Sequence, residues 1–437
     1  MNFIQLTPGA GAMYCGNCLR DNALVGELRR QGHEAIMLPL YLPLTLDEAD
    51  QSAGQPIFFG GVNVFLDQML PFYRRAPGWV RRRLDAPAIL RWAAGRAAKT
   101  RAAEVGELTL SMLRGEAGNQ NRHLDDLIAW LNRHARPEVI CLSNALLIGL
   151  AHRLRRETGA TILCSLAGED SFLDALPEAQ RAAAWRIVTE RAADVDRFLT
   201  PSRFYGDLMG GRLGLAPERI AVVPSGIDLT GYPKSPAPGA GRSAPMLGYL
   251  ARMCPEKGLD TLVEAYILLK QRRQVKHLKL RIGGSCGPAD EPFVKQLRQR
   301  LAAAGYIGET GFLPNLSHAE KVDFLRSLTV FSVPARYGEA FGLYVAEAMA
   351  AGVPVVQPRT AAFPELVAAT GGGVLCEPGS PAALADAIEA LLLDPAQGQA
   401  LGAAGQQAAF TEFSVETMAR RTLAAIPART RSGGNSP

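Results

Sequence analysis

The chain has 437 residues, 48% hydrophobic and 20% charged, with a net charge of +5. At about 100–200 residues per domain it is too long for one compact core, and its apolar content excludes a mostly disordered chain. Its 44 Gly and 29 Pro follow no repeat period, which excludes collagen-like and low-complexity readings, and so mild a net charge does not mark a nucleic-acid binder.

The first apolar run, Phe3 to Leu6, reads as a β-strand, since it lacks the basic and long apolar regions of a signal peptide. A glycine-rich turn follows, then a helix from Cys18 to Gln31 and a strand from Glu34 to Leu40. Between Phe72 and Arg101 lie nine basic residues and one acid, Asp85, so this stretch carries +8 and the rest of the chain −3. Trp79, Leu84, Leu90 and Trp92 are interleaved with the arginines. That mixture suits a surface lying on anionic lipid, or a solvated helical insertion. The longest nearly apolar run, Val139 to Ala151, is 13 residues, short of the roughly 20 needed to span a bilayer.

Further strands are expected at 139–142, 161–164, 197–200 and 220–223, with helices rich in Ala, Leu and Arg between them. The pattern stops at 232–245, a stretch rich in Pro, Gly and Ala that reads as a linker. It restarts with strands at 246–250, 278–282, 329–333 and 353–356. Repeated βαβ alternation predicts an α/β fold: two doubly wound, mainly parallel, Rossmann-like domains facing a cleft. The expected boundaries are 1–232, a linker at 233–245, 246–412, a terminal helix within 413–426 and a tail at 427–437. Ligands of such folds bind at the carboxyl ends of the strands and between domains.

The strongest chemical signal runs from Pro334 to Val356. A strand ends near Pro334, a glycine-rich turn carries Glu339, and a helix begins near Leu343 and ends at Gly352. Free N–H groups at that helix start, beside the open backbone of Gly342, suit a diphosphate. Glu347 lies eight residues beyond Glu339. A strand–turn–helix geometry can aim both carboxylates into one cleft, where they can accept from sugar and ribose hydroxyls. Two isolated glutamates would read as a turn cap and a solvated helix residue. Here the residues around them resemble the family 4 glycosyltransferases, whose signature sets Glu, seven residues and Glu in a Phe-Gly-Leu…Glu-Ala-Met-Ala…Gly-x-Pro-Val-Val frame. The chain matches that frame from Glu339 to Val356, including Phe341, Gly342 and Leu343.

The resemblance extends to Gly248–Gly258, where Arg252 and Lys257 match an Arg and a Lys five residues apart that hold the donor diphosphate. Two fixed cations stabilise a leaving group as it gains charge. Pro224–Asp228, Ala362–Glu365 and Gly371–Leu375 resemble family turns of structural kind. In the first domain, Gly11 lies in Pro8–Met13, where such enzymes carry a glycine-rich loop that lets the substrates approach the backbone. Gly9-Ala10-Gly11 lacks the third glycine of a dinucleotide fingerprint. Many family members carry a His about where Ala167 stands; Glu169 and Asp170 beside it either supply polar contact on the acceptor side or cap the helix that follows.

The resemblance implies a GT-B fold and a retaining hexosyltransferase that moves a sugar from a nucleotide diphosphate sugar to an acceptor hydroxyl. It implies glycolipid or polysaccharide synthesis, a lipid-linked or sugar acceptor, and no cofactor or metal. Arg252, Lys257 and Glu339 are the expected catalytic residues, and the donor site adds Gly11, Phe341, Gly342, Leu343 and Glu347. An epimerase of the same architecture, or a sugar-binding protein without activity, are the other readings. Seven scattered cysteines suit a reducing cytosol, with peripheral contact at the inner membrane face through 72–101. Cys15-Gly16-Asn17-Cys18 has redox spacing at a helix start, though small packing residues or a metal site would use the same pattern.

Overall fold

The computed structural model describes residues 1–9, 15–46, 48–70, 73, 102–233 and 244–428. The first sheet contains β1 (Asn2–Thr7), β2 (Glu34–Pro39), β3 (Val139–Leu142), β4 (Thr161–Ser165), β5 (Arg197–Thr200) and β6 (Ile220–Val222). The second contains β7 (Met246–Leu250), β8 (Lys279–Gly284), β9 (Thr310–Pro314), β10 (Val330–Phe331), β11 (Val355–Pro358) and β12 (Gly373–Cys376). Their orders are β2-β1-β3-β4-β5-β6 and β12-β11-β10-β7-β8-β9. Every pairing is parallel. Helices cover both faces, so the central strands are buried throughout, as in Val139–Leu142, and read as continuous apolar runs.

Two strands escape the sequence pattern. β9 is Thr-Gly-Phe-Leu-Pro, a partly exposed edge strand whose Gly and Pro read as breakers. β12 begins inside Gly371-Gly372-Gly373, expected as a turn. Gly371 and Gly372 make the turn, but Gly373 already pairs with Val355, and a Cβ there would lie 2.2 Å from the Val355 carbonyl oxygen. The strand at 353–356 is therefore not the last of its sheet. Ala362–Glu365, likewise read as a turn, opens the helix Phe363–Thr370.

The halves are tied at several points. The helix Val415–Ala424 packs on the helix Gly16–Arg30, and its Met418 and Ala419 share a core with Phe3, Leu24 and Leu28 of the first half. Ile227 and Ser414 form a parallel bridge, and the Ile227 N–H donates to the Phe413 carbonyl at 2.8 Å. Ser202 Oγ donates to the Ala340 carbonyl at 2.7 Å. Glu365 of the second half accepts from the N–H groups of Arg203 and Phe204, both at 3.0 Å. It thus caps the helix Arg203–Leu213 of the first half and complements its positive end. No helix among the described residues is long and apolar enough to cross a membrane.

The crossing is tight at Gly226, where a Cβ would lie 2.8 Å from Val415 Cα and 2.9 Å from the Ser414 carbonyl oxygen. Gly226→Ala is therefore expected to push the terminal helix outward and cost about 1–3 kcal/mol, the range for overpacking. The midpoint of urea unfolding checks this; an unchanged midpoint would show that the crossing tolerates a methyl group.

Candidate functional site

A cavity of about 390 Å³ lies between the two sheets. Parallel strands deliver the segments that follow them to one edge, so the walls come from strand ends, loops and helix starts. Gly16 and Leu19 lie on the helix after β1; Leu250 ends β7, and Ala251, Arg252 and Lys257 follow it; Gly284 ends β8, with Ser285 after it; and Asn315 and Leu316 follow β9. Glu339, Leu343, Tyr344 and Glu347 follow β10. Four residues expected from the sequence, Arg252, Lys257, Glu339 and Glu347, thus line one space. Leu343 lines it too, as the first residue of the helix Leu343–Ala350. Gly342 precedes that helix with φ +88°, and a Cβ would lie 2.9 Å from Phe363 Cε1, so both its dihedral and its neighbour require glycine.

The charged groups are paired across elements. Arg252 makes a forked contact with Asp290: Nε lies 3.1 Å from each carboxylate oxygen and Nη2 2.9 Å from Oδ1. This contact raises the Arg252 pKa and fixes the guanidinium plane, while the side chain keeps 49% of its surface open. Lys257 Nζ pairs with Glu339 Oε1 and lies over the Tyr344 ring, 5.6 Å from its centroid. Burial lowers the Lys257 pKa. Lys321, from the helix His318–Arg326, places Nζ 2.8 Å from Glu347 Oε1, and both side chains are almost buried. Sequence reasoning missed Asp290, Lys321 and Tyr344. The Ser317…Glu320 capping box starts the helix that carries Lys321, but nothing local in the sequence shows Lys321 meeting Glu347.

Other expected site residues lie elsewhere. Phe341 is buried edge-on against Phe413, 5.3 Å between ring centroids, and faces a second inter-sheet cavity with Glu365 and Arg421. Glu169 is 5% exposed and does not line the first cavity. Its carboxylate accepts from Ala145 N–H at 3.2 Å and Ala167 N–H at 2.6 Å, and burial raises its pKa. Asp170 accepts from the Tyr205 hydroxyl at 2.7 Å. Gly11, and residues 72–101 apart from Tyr73, lie outside the described residues. Glu48, Asp228 and His318 place one ligand atom each within 4.8 Å of one another, but none of the three lines the cavity.

Comparison with known proteins fits this geometry. The chain is 29% identical over 341 residues to D-inositol 3-phosphate glycosyltransferase 1 of Catenulispora acidiphila, covering 76% of this chain and 78% of that one. It is 27% identical over 286 residues to the GDP-mannose-dependent alpha-(1-6)-phosphatidylinositol monomannoside mannosyltransferase of Mycobacterium tuberculosis, covering 62% and 71%. Against other relatives at 30–32% identity, the chain spans about half of their length. The fold aligns with Anabaena HepE, solved with UDP, at a TM-score of 0.66 and 15% identity, over 97% of this chain and 99% of that one. Likenesses of this kind establish the two-domain GT-B architecture. The family described as Glycosyltransferase Family 4 matches residues 101–230, and that described as Glycosyl transferases group 1 matches 235–408. With both halves matched in order, the chain belongs to the family 4 glycosyltransferases.

Proposed function

We propose that the protein transfers a sugar from a nucleotide diphosphate sugar to an acceptor hydroxyl with retention at the anomeric carbon. The observation that carries this reading is the convergence of Arg252, Lys257, Glu339, Glu347 and the start of the Leu343 helix on one cavity. The nucleotide binds on the second half, the acceptor on the first. The mannosyltransferase relative, GDP-mannose-dependent by name, supports a nucleotide-sugar donor and a lipid acceptor.

The chemistry follows from the charges. A diphosphate that takes Lys257 releases Glu339 from its partner, and Glu339 then accepts from the sugar hydroxyls. Glu347, held by Lys321, accepts from the ribose. As the glycosidic bond breaks, charge grows on the β-phosphate, where Arg252, Lys257 and the helix N–H groups stabilise it. These cations replace a divalent metal. The two cavity carboxylates are engaged, Glu339 with the sugar hydroxyls and Glu347 with the ribose, so neither acts as the nucleophile of a double displacement; the acceptor attacks on the face the diphosphate leaves, and the leaving oxygen takes its proton. We place the protein in the cytoplasm, in glycolipid or polysaccharide synthesis, with residues 72–101 touching anionic lipid.

Arg252→Ala or Lys257→Ala should lower kcat by about 10²–10³, as when one preorganised charge-stabilising donor is lost. Transfer of labelled sugar from nucleotide sugars measures this, and the same assay should keep its rate in a chelator. Unchanged rates in both folded variants would remove the clamp from the mechanism.

Glu347→Ala should weaken nucleoside diphosphate binding by roughly 10- to 150-fold, the worth of about 1.5–3 kcal/mol for a hydrogen bond to a charged group. Glu339→Ala should spare or tighten the bare diphosphate, because it frees Lys257, and weaken the intact donor by a similar factor. Calorimetric titration of both ligands decides. The reverse pattern would exchange the two roles.

For the basic stretch, sedimentation with anionic vesicles should weaken in salt and fall when Arg81, Arg82 and Arg83 become Gln. Equal binding to neutral and anionic vesicles, or to neither, returns the stretch to a solvated surface.

A further inference from the structure

The Cys15-Gly16-Asn17-Cys18 segment has no part in the proposed transfer. Cys15 is the extended residue ahead of the helix Gly16–Arg30, at φ −125° and ψ 121°, and Cys18 lies in its first turn. The two thiols thus stand three residues apart at one helix start, and each acts on the other's titration. Neither is in a disulfide; Cys15 is half-buried and Cys18 buried. The neighbouring Cys18 thiol lowers the Cys15 pKa most, and the N–H groups of Cys18 and Asn17 favour the same anion. Together they outweigh burial and the nearby Asp21 carboxylate and bring the Cys15 thiol down to about 6. Asp21 is itself tied up: it accepts from Thr7 Oγ1 at 2.8 Å and pairs with Arg20 at 2.6 Å. The contact that lowers Cys15 pushes Cys18 up. Burial pushes up the remaining five thiols, Cys141, Cys164, Cys254, Cys286 and Cys376. The same first turn supplies Gly16 and Leu19 to the cavity wall.

We propose that Cys15 and Cys18 are a thiol–disulfide exchange pair beside the cavity, with Cys15 as the attacking thiolate and Cys18 as the resolving thiol. The asymmetry of one half-buried and one buried thiol at a helix start suits such exchange. The oxidant is a low-molecular-weight disulfide, RSSR. Cys15 Sγ attacks one of its sulfurs, forms a mixed disulfide and releases one thiolate, RS⁻. Cys18 then gives up its proton, which ends on a released thiolate, and attacks Cys15 Sγ. The Cys15–Cys18 bond forms as the second RS⁻ leaves and is protonated from solvent. Two protein thiols are oxidised, and one RSSR is reduced to two RSH. The inference rests on the placement and asymmetry of the two thiols at the helix start and stands whether or not the cavity binds a nucleotide sugar.

The test uses the reduced full chain and oxidised glutathione. Remaining thiols are blocked with a maleimide, and the tryptic peptide ending at Arg20, which holds both cysteines, is weighed. In the wild type it should lose two hydrogens and carry no maleimide. Cys18→Ser should stop with glutathione on Cys15, and Cys15→Ser should leave Cys18 free to take maleimide. A second readout needs no variant. The rate of iodoacetamide labelling at Cys15 should change little between pH 7 and 9, whereas an ordinary thiol of pKa about 8.5 gains about 25-fold. Both cysteines of the wild type carrying maleimide after glutathione treatment would overturn the pair. Glutathione settling on Cys18, or a Cys15 labelling rate that climbs like an ordinary thiol's, would overturn the assignment of the attacking group.

Discussion

Parallel pairing is the constraint on which the rest of the molecule depends. Because every strand runs the same way, each sheet presents all of its following loops along one edge. Residues far apart in the chain, such as Leu19, Arg252, Asn315 and Glu347, therefore reach one cavity without any one loop having to be long. The two sheets then need only face each other. The terminal helix, the Ile227–Ser414 bridge and the Glu365 cap hold them so. The cap is informative, because it places a carboxylate of one half on the start of a helix in the other. Any large relative movement of the halves has to break two backbone-to-carboxylate hydrogen bonds.

The charges along that edge are arranged as pairs from different elements. Arg252 leans on Asp290, Lys257 on Glu339 and Lys321 on Glu347. The three differ in burial, and that decides how each can act. Lys321 and Glu347 are nearly enclosed, where removing one partner strands a charge and costs several kcal/mol. Such a pair is a fixed fixture. Lys257 keeps 31% of its side chain open, and Arg252 keeps 49%. Their carboxylate partners, Asp290 and Glu339, are largely buried, but each cation keeps surface that a further anion can reach. The enclosed pair holds a carboxylate in place, and the two cations keep open surface on the cavity.

What the sequence revealed, and what it hid, follows the same division. Glu339, Gly342, Leu343 and Glu347 are legible because one turn and one helix carry them at fixed spacing, and Arg252 and Lys257 share one loop. Lys321 and Asp290 were invisible because their roles exist only once separate helices pack on the same sheet. The buried strands β1, β3 and β4 announced themselves as apolar runs. β9 and β12 did not, since edge strands need less apolar surface and tolerate the Gly and Pro that otherwise signal turns. Phe341 was misplaced by proximity: it adjoins Gly342 in the chain, but its ring turns into the contact between the halves.

The loop Leu166–Asp170 shows why a residue type near the expected place is not enough. Glu169 sits where a polar group toward the acceptor was sought, yet its carboxylate is spent on the N–H groups of Ala145 and Ala167. Asp170 is spent on Tyr205, whose hydroxyl also accepts from Gly168 N–H at 2.9 Å. Each polar atom thus knits the loop to its own domain and closes the ends of the adjoining helical turns. A carboxylate held by two backbone donors has little capacity left to take a proton from an acceptor hydroxyl. Under the proposed mechanism this is no loss. In a same-face reaction the departing phosphate oxygen is the base, and what the first half must supply is a rigid wall that holds the acceptor against it. A loop whose hydrogen bonds all turn inward is suited to that role.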